Sequence, residues 1–316
     1  MGRILGVLAL LTLALLAGGI AVAWAPERPV DALKPRWAGA PSRFVDVGGL
    51  QVHLRDEGPR DDPVPIVLIH GTVSSLHTWE GWAAALRGER RVVRFDLPGF
   101  GLTGPNASGD YGVAADTRFV LDLLDTLKIE RFVLVGNSLG GEIAWHAAVL
   151  APQRVERLVL IDAGGYAFTT RWVRLGFRLT RMLVVRGLSR NVLPRSLVAR
   201  SVRAVYGEPS RVSDALIDRY YELTLREGNR TALARRFEQV QPGADSVLIA
   251  TLKVPTLILW GGRDRLFPPE DGLAFARDIA RSRLVLFDGL GHVPHEEDPA
   301  RSVAELRRFL GMAPAV

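Results

Sequence analysis

The chain has 316 residues, 48% of them hydrophobic and 23% charged, enough for one large domain or a core carrying an insertion. It has no cysteine, so disulfides, thiolate catalysis and cysteine-based metal sites are excluded. The formal charge of +6 is one local patch, because residues 168–207 hold nine arginines and no Asp, Glu or Lys, which leaves −3 for the rest.

Residues 4–24 are apolar or small almost throughout and carry no charge. Their length is that needed to cross a hydrocarbon core, about 20 residues. Two readings compete. Ala21-Val22-Ala23 and Ala23-Trp24-Ala25 each offer the small-residue pattern of a cleaved secretory signal, which would leave a secreted or periplasmic protein. The apolar run is longer than the roughly 7–15 residues usual in such signals, so an uncleaved N-terminal apolar helix and a membrane-associated protein are expected. Arg28, Lys34, Arg36 and Arg43 outnumber Arg3, which would keep the main domain on the cytoplasmic side; a signal-like start argues the opposite. Residues 25–43 are rich in Pro and Ala and read as a linker.

Residues 44–47 and 50–55 alternate around Gly48-Gly49 and predict a hairpin. Residues 65–70 and 92–95 are short apolar runs, ending in His70-Gly71-Thr72 and in Asp96-Leu97-Pro98-Gly99-Phe100-Gly101. Between them, Trp79, Trp82, Ala83 and Leu86 have helical spacing. Residues 114–127 predict an amphipathic helix, with Phe119, Val120, Leu123, Leu124 and Leu127 on its apolar side. Strands alternating with helices imply a mostly parallel sheet covered on both faces, with ligands beyond the carboxyl ends of the strands.

Residues 131–142, RFVLVGNSLGGE, are the centre of the chain. Phe132, Val133, Leu134 and Val135 suit a buried strand, and a helical pattern begins at Ile143. Gly136, Ser138 and Gly140 between them fit G-x-S-x-G, with Gly141 alongside. A serine at a sharp strand-to-helix turn has a strained backbone and needs neighbours without bulky side chains. The turn lifts its hydroxyl clear of the sheet and sets the Leu139 N–H at a helix start, where unpaired donors gather. The bland alternative is a plain strand–turn–helix with an idle serine.

Residues 158–162, 254–260 and 284–287 predict three further strands, the last two running into Gly261-Gly262-Arg263-Asp264 and into Gly289 and His292. The pieces His70-Gly71-Thr72, DLPGFG at 96–101, GNSLGG at 136–141, WGGRDRLFP at 260–268 and GHVPHEEDP at 291–299 now stand in order. With them the chain resembles an α/β-hydrolase-fold serine hydrolase, esterase- or lipase-like, over most of residues 44–310. The resemblance implies a central, mostly parallel sheet flanked by helices, a helical cap over the site, and no cofactor. It also implies a triad of Ser138, Asp264 and His292, in the family's order of nucleophile, acid and base.

The chemistry needs each of them. A serine hydroxyl is a poor nucleophile until a base takes its proton, the role of His292. The second ring nitrogen needs an acceptor that fixes the tautomer, the role of Asp264, with Asp162 as a rival because it too follows a strand. The tetrahedral oxyanion needs two N–H donors, assigned to Leu139 and Thr72, with Val73 the alternative to Thr72. His70 is read as bracing the oxyanion loop and Asp96 its own loop. Pro294 breaks any helix that would present His292 and His295 to a metal, so no metal site is expected. His53, His77 and His146 read as surface or core histidines. A serine at the elbow argues against halide or epoxide chemistry, where related enzymes use an aspartate.

Residues 165–246 show little strand character and resemble the family's cap. Trp172, Leu175, Leu179 and Met182 make one helical stripe, and Arg171, Arg174, Arg178 and Arg181 an adjacent one. That pattern suits either an anionic membrane surface or an ordinary cap helix with solvated arginines. No nucleic-acid motif accompanies the arginines. Residues 214–241 read as continuing helix with a solvated outer face. The expected organisation is an anchor or signal segment (1–24), a linker (25–43), the hydrolase core in two parts (44–164 and 247–316), and a helical cap (165–246). The expected function is hydrolysis of a small carboxylic ester, leaning lipophilic, through an acyl-enzyme on Ser138. The alternatives are a carbon–carbon bond hydrolase of the same fold, and a non-catalytic binding protein.

Overall fold

A computed structural model describes residues 18–19, 23–167 and 191–313. Eight strands are β1 (Arg43–Val47), β2 (Leu50–Glu57), β3 (Ile66–Ile69), β4 (Val92–Phe95), β5 (Phe132–Asn137), β6 (Val155–Ile161), β7 (Thr256–Gly261) and β8 (Ser282–Phe287). The α-helices are α1 (Val30–Trp37), α2 (Glu80–Leu86), α3 (Val113–Thr126), α4 (Leu139–Leu150), α5 (Arg195–Val205), α6 (Asp214–Thr224), α7 (Asn229–Gln239), α8 (Pro269–Asp278), α9 (Pro294–Glu297) and α10 (Pro299–Phe309).

The sheet order is β1-β2-β4-β3-β5-β6-β7-β8. Strands β1 and β2 form the expected hairpin, closed by Gly48 and Gly49 at φ 58° and 86°, the left-handed pair a two-residue turn requires. β2 also pairs antiparallel with β4, and every later pairing is parallel. The central strands are unbroken apolar runs because both faces are covered. Val67, Ile69, Val93, Phe95 and Leu134 pack with α3, α4 and Trp260 on one face. Ile66, Leu68, Val92, Val133 and Val135 pack with Trp79, Trp82 and α10 on the other.

Helices α5, α6 and α7 all lie between β6 and β7. The continuous helix expected over 214–241 is two, because Gly228 takes φ 83° and turns the chain between α6 and α7. Nor is that segment simply a solvated face. Arg236 is buried and reaches into the core, donating to the Tyr111 and Pro98 carbonyls at 3.0 Å each and pairing with buried Asp116. Arg219 donates to the His77 carbonyl at 3.3 Å and pairs with Glu296. The Pro- and Ala-rich stretch after residue 24 is also ordered. It holds α1, whose Leu33 packs with Leu102 and Leu223, and its Arg28 exchanges backbone hydrogen bonds with Leu225 and Glu227.

The expectation of a membrane-spanning N-terminal helix is corrected. Among the described residues no helix is long and apolar enough to cross a membrane. Of residues 4–24 only Gly18, Gly19, Ala23 and Trp24 are described; Ala23 and Trp24 lie beside the inserted helices, the Ala23 carbonyl accepting the Leu193 N–H at 2.9 Å. The arginine and apolar stripes at 171–182 lie outside the described residues.

Candidate active site

Strand β5 hands the chain to α4 through Ser138, whose φ of 56° and ψ of −119° no ordinary residue adopts without strain. The surrounding glycines are forced by close backbone approach. A Cβ on Gly136 would lie 2.5 Å from the Gly141 nitrogen, and one on Gly140 would lie 2.7 Å from the His70 carbonyl oxygen. The turn is pinned by hydrogen bonds of 3.0 Å from Ser138 N–H to the Ile161 carbonyl, and from the Glu142 and Gly164 N–H groups to the Ser138 carbonyl. Ser138 stays half-buried, and Leu139 opens α4, whose first N–H groups have no partner within the helix.

The loop after β3 faces this elbow. A Cβ on Gly71 would lie 3.0 Å from the Ser138 Cβ, so a side chain there would press the two loops apart by a few tenths of an ångström. Ser74 N–H closes a turn onto the Gly71 carbonyl at 3.2 Å. Its central residues are Thr72 and Val73, and Val73 takes φ 60°, an outlier for a β-branched residue. Among the described residues neither central N–H has an acceptor, so both are free to meet an anion. Buried His70 ties the loop down. Its Nε2 accepts the Leu97 N–H at 3.0 Å, which leaves the proton on Nδ1, donated to the Gly71 carbonyl at 2.7 Å. Burial lowers its pKa, so this brace is neutral. Asp96 braces the next loop by accepting from His53 and from the Leu76 and Leu102 N–H groups. Burial alone would raise its pKa, but the His53 ring beside it holds the carboxyl below the usual range.

Asp264 and His292 follow β7 and β8. His292 Nδ1 meets Asp264 Oδ2 at 2.7 Å, and both residues are buried. Asp264 Oδ1 accepts the Leu266 and Phe267 N–H groups at 2.7 and 3.2 Å. Asp264, not Asp162, therefore holds the His292 ring. The Phe267 ring lies edge-on to His292, 5.2 Å between centroids. Among the described residues no hydrogen bond joins His292 to Ser138 Oγ. What draws them together is Asn137, whose amide donates to the His292 carbonyl at 2.9 Å and to the Ile161 carbonyl at 3.1 Å. Glu297 fixes the same loop by accepting the Gly291, Gly207 and Glu208 N–H groups, each at 2.9 Å.

The sequence reading missed Asn137 and Glu297 as organisers. Both sit inside the quoted motifs GNSLGG and GHVPHEEDP, which was the available signal. His295 lies against Trp79 in a tilted contact, with ring centroids 4.1 Å apart, and its Nε2 meets the Thr78 hydroxyl. Asp162, Asp264 and His292 do cluster, with one potential ligand atom each within 4.8 Å of the others. Within that cluster His292 Nδ1 and Asp264 Oδ2 share one short hydrogen bond.

Comparison with known proteins agrees with this fold. The family model for the alpha/beta hydrolase fold matches residues 64–299. A 2-hydroxy-6-oxo-2,4-heptadienoate hydrolase of Pseudomonas putida is 33% identical over 79% of this chain and 89% of its own. The structure of a meta-cleavage product hydrolase from Pseudomonas fluorescens IP01 superposes with a TM-score of 0.74 at 25% identity, covering 85% of this chain and 97% of its own. That of a membrane phospholipase A, described as a bacterial virulence factor, superposes with a TM-score of 0.75 at 26% identity, covering 98% of each chain. By fold, family model and relatives, the chain belongs to the α/β-hydrolase family.

Proposed function

We propose that the protein is a serine hydrolase that cleaves a carbon–carbon bond beside a ketone in a dienoic or diketone substrate, through an acyl-enzyme on Ser138. The observation that carries the chemistry is the buried 2.7 Å Asp264–His292 hydrogen bond on a loop tied to Asn137, the neighbour of Ser138. Substrate class is argued from the relatives: the Pseudomonas putida protein is named a hydrolase of a 2-hydroxy-6-oxodienoate, and the Pseudomonas fluorescens structure a meta-cleavage product hydrolase.

With Asp264 accepting the Nδ1 proton, His292 presents an unprotonated Nε2 and takes the Ser138 proton as Oγ attacks the ketone carbon. Such a nucleophile–base contact is often long in an empty site and tightens when substrate is bound. Negative charge on the former carbonyl oxygen is met by the N–H groups of Leu139 and Thr72, with Val73 the alternative to Thr72. The carbon–carbon bond then breaks. Its electron pair passes to the departing carbon, which His292 protonates; a second carbonyl conjugated with that carbon makes it a competent leaving group. Water, deprotonated by His292, hydrolyses the Ser138 ester, so one water is consumed and a carboxylic acid released. Helices α5 to α7 act as the lid that shapes the pocket and excludes bulk water.

Hydrolysis of a carboxylic ester is the second reading, supported by the phospholipase structure matched over 98% of both chains. Only the leaving group changes, from carbon to alkoxide. Measuring kcat/KM on a 2-hydroxy-6-oxodienoate beside p-nitrophenyl esters of increasing acyl length separates the two. We expect the dienoate to lead by at least about tenfold. Turnover of esters alone would replace the first reading with the second.

A further inference from the structure

Directly after β6, Asp162 is fully buried at φ 43°. Its Oδ1 accepts the Gly261 N–H at 2.9 Å, and its Oδ2 is buried with no hydrogen-bond partner. The Asp264 carboxyl stands beside it, within the same 4.8 Å cluster. Asp264 is well supplied, with donors from His292, Leu266 and Phe267. Two adjacent carboxylates out of water cannot both stay ionised, so the pair keeps one proton. That proton belongs on the carboxyl with fewer donors, and a hydroxyl there would satisfy the orphaned Oδ2.

We propose that Asp162 Oδ2 carries this proton and donates it to the Asp264 carboxylate, making Asp162 the positioning residue that aims the acceptor of the His292 Nδ1–H. Burial first, and then the charge of Asp264, push the Asp162 carboxyl well above its usual range. Glu297, the other acid facing it, is committed to three backbone N–H groups and holds the His292 loop instead. The pair explains how a buried acid can lie against the triad carboxylate without repelling it out of line. The left-handed backbone at this position is one that Asp and Asn accept more readily than most residues.

The inference rests on the proposed roles of Ser138, His292 and Asp264. Asp162→Asn tests it, because an amide keeps an acceptor for Gly261 and a permanent donor for Asp264. Asp162→Ala and Asp162→Gly lack the donor, and the glycine variant carries no backbone strain. Rates of Ser138 phosphonylation by a fluorophosphonate should fall by roughly one to two orders of magnitude in the alanine and glycine variants, with the asparagine variant recovering most of the loss. Infrared difference spectra at neutral pH should show a carbonyl stretch of an un-ionised carboxyl group in the native protein that Asp162→Asn removes. An asparagine variant as slow as alanine, or one that leaves that band in place, overturns the proton-sharing pair. If the native protein is not phosphonylated at all, the triad reading fails instead, and the infrared result still decides the proton.

Discussion

Gly136→Ala tests whether the elbow is held by backbone contact. The added Cβ would stand 2.5 Å from the Gly141 nitrogen and closer still to the Gly140 carbonyl. Ordinary separation requires the first turn of α4 to recede by about 1 Å. That turn carries Ser138 and the Leu139 N–H, and both are fixed from behind by the hydrogen bonds to Ile161, Glu142 and Gly164. The overpacking should destabilise the fold by roughly 1–3 kcal/mol, seen as a midpoint about 2–4 °C lower per kcal/mol. A displacement of 1 Å at the nucleophile should cost about 10²-fold in phosphonylation rate. Gly289→Ala is the control, since a Cβ there meets nothing within 4 Å. It should leave the rate alone and raise stability by up to roughly 1 kcal/mol. Thermal unfolding and stopped-time labelling on both variants give the comparison. A Gly136→Ala protein that labels as fast as Gly289→Ala would refute the argument that these contacts set the nucleophile's position.

Asn137→Ala leaves the buried His292 carbonyl without its donor, while the Ile161 carbonyl keeps the Ser138 N–H, and should cost roughly 1–3 kcal/mol, with phosphonylation slowed well beyond what the altered unfolding midpoint explains. Arg236→Met strands the buried Asp116 carboxylate and frees α7 from the core, so chemical denaturation should report a loss of about 3–5 kcal/mol. His77 is kept neutral by burial, its pKa pushed from 6.5 down to about 3. The unfolded chain therefore binds a proton that the folded chain refuses, and stability is complete above pH 6.5 and falls as the pH drops towards 3. Burial lowers His70 and His295 in the same sense. Urea midpoints measured from pH 8 to pH 4 should decline below pH 6.5, and His77→Gln should flatten part of that decline; an unchanged slope would show that His77 takes no part.

The fold was legible because the sheet is covered on both faces. Every central strand is then an unbroken apolar run, and the residues at its carboxyl end stand out: His70 after β3, Asp96 after β4, Ser138 after β5. The Asp264–His292 contact was legible only through the motifs, since 28 residues separate the two. Other features depend on partners that local pattern does not reveal. Arg236 and Arg219 look like solvated helix charges until Asp116 and Glu296 close over them. Asn137 looks like a turn residue until the His292 carbonyl arrives 155 positions later. The break in the helix expected over 214–241 comes from Gly228, whose left-handed φ is a tertiary choice made where α6 turns into α7. Most of the apolar start lies outside the described residues, among which no helix is long and apolar enough to cross a membrane.

The central claim is that His292, held by Asp264, makes Ser138 a nucleophile. Intact mass and peptide mapping after a short exposure to a fluorophosphonate test it directly. One adduct per chain is expected, on Ser138, absent in Ser138→Ala and slowed by several orders of magnitude in His292→Ala. Labelling of His292→Ala at the native rate, or an adduct on any other residue, would contradict it.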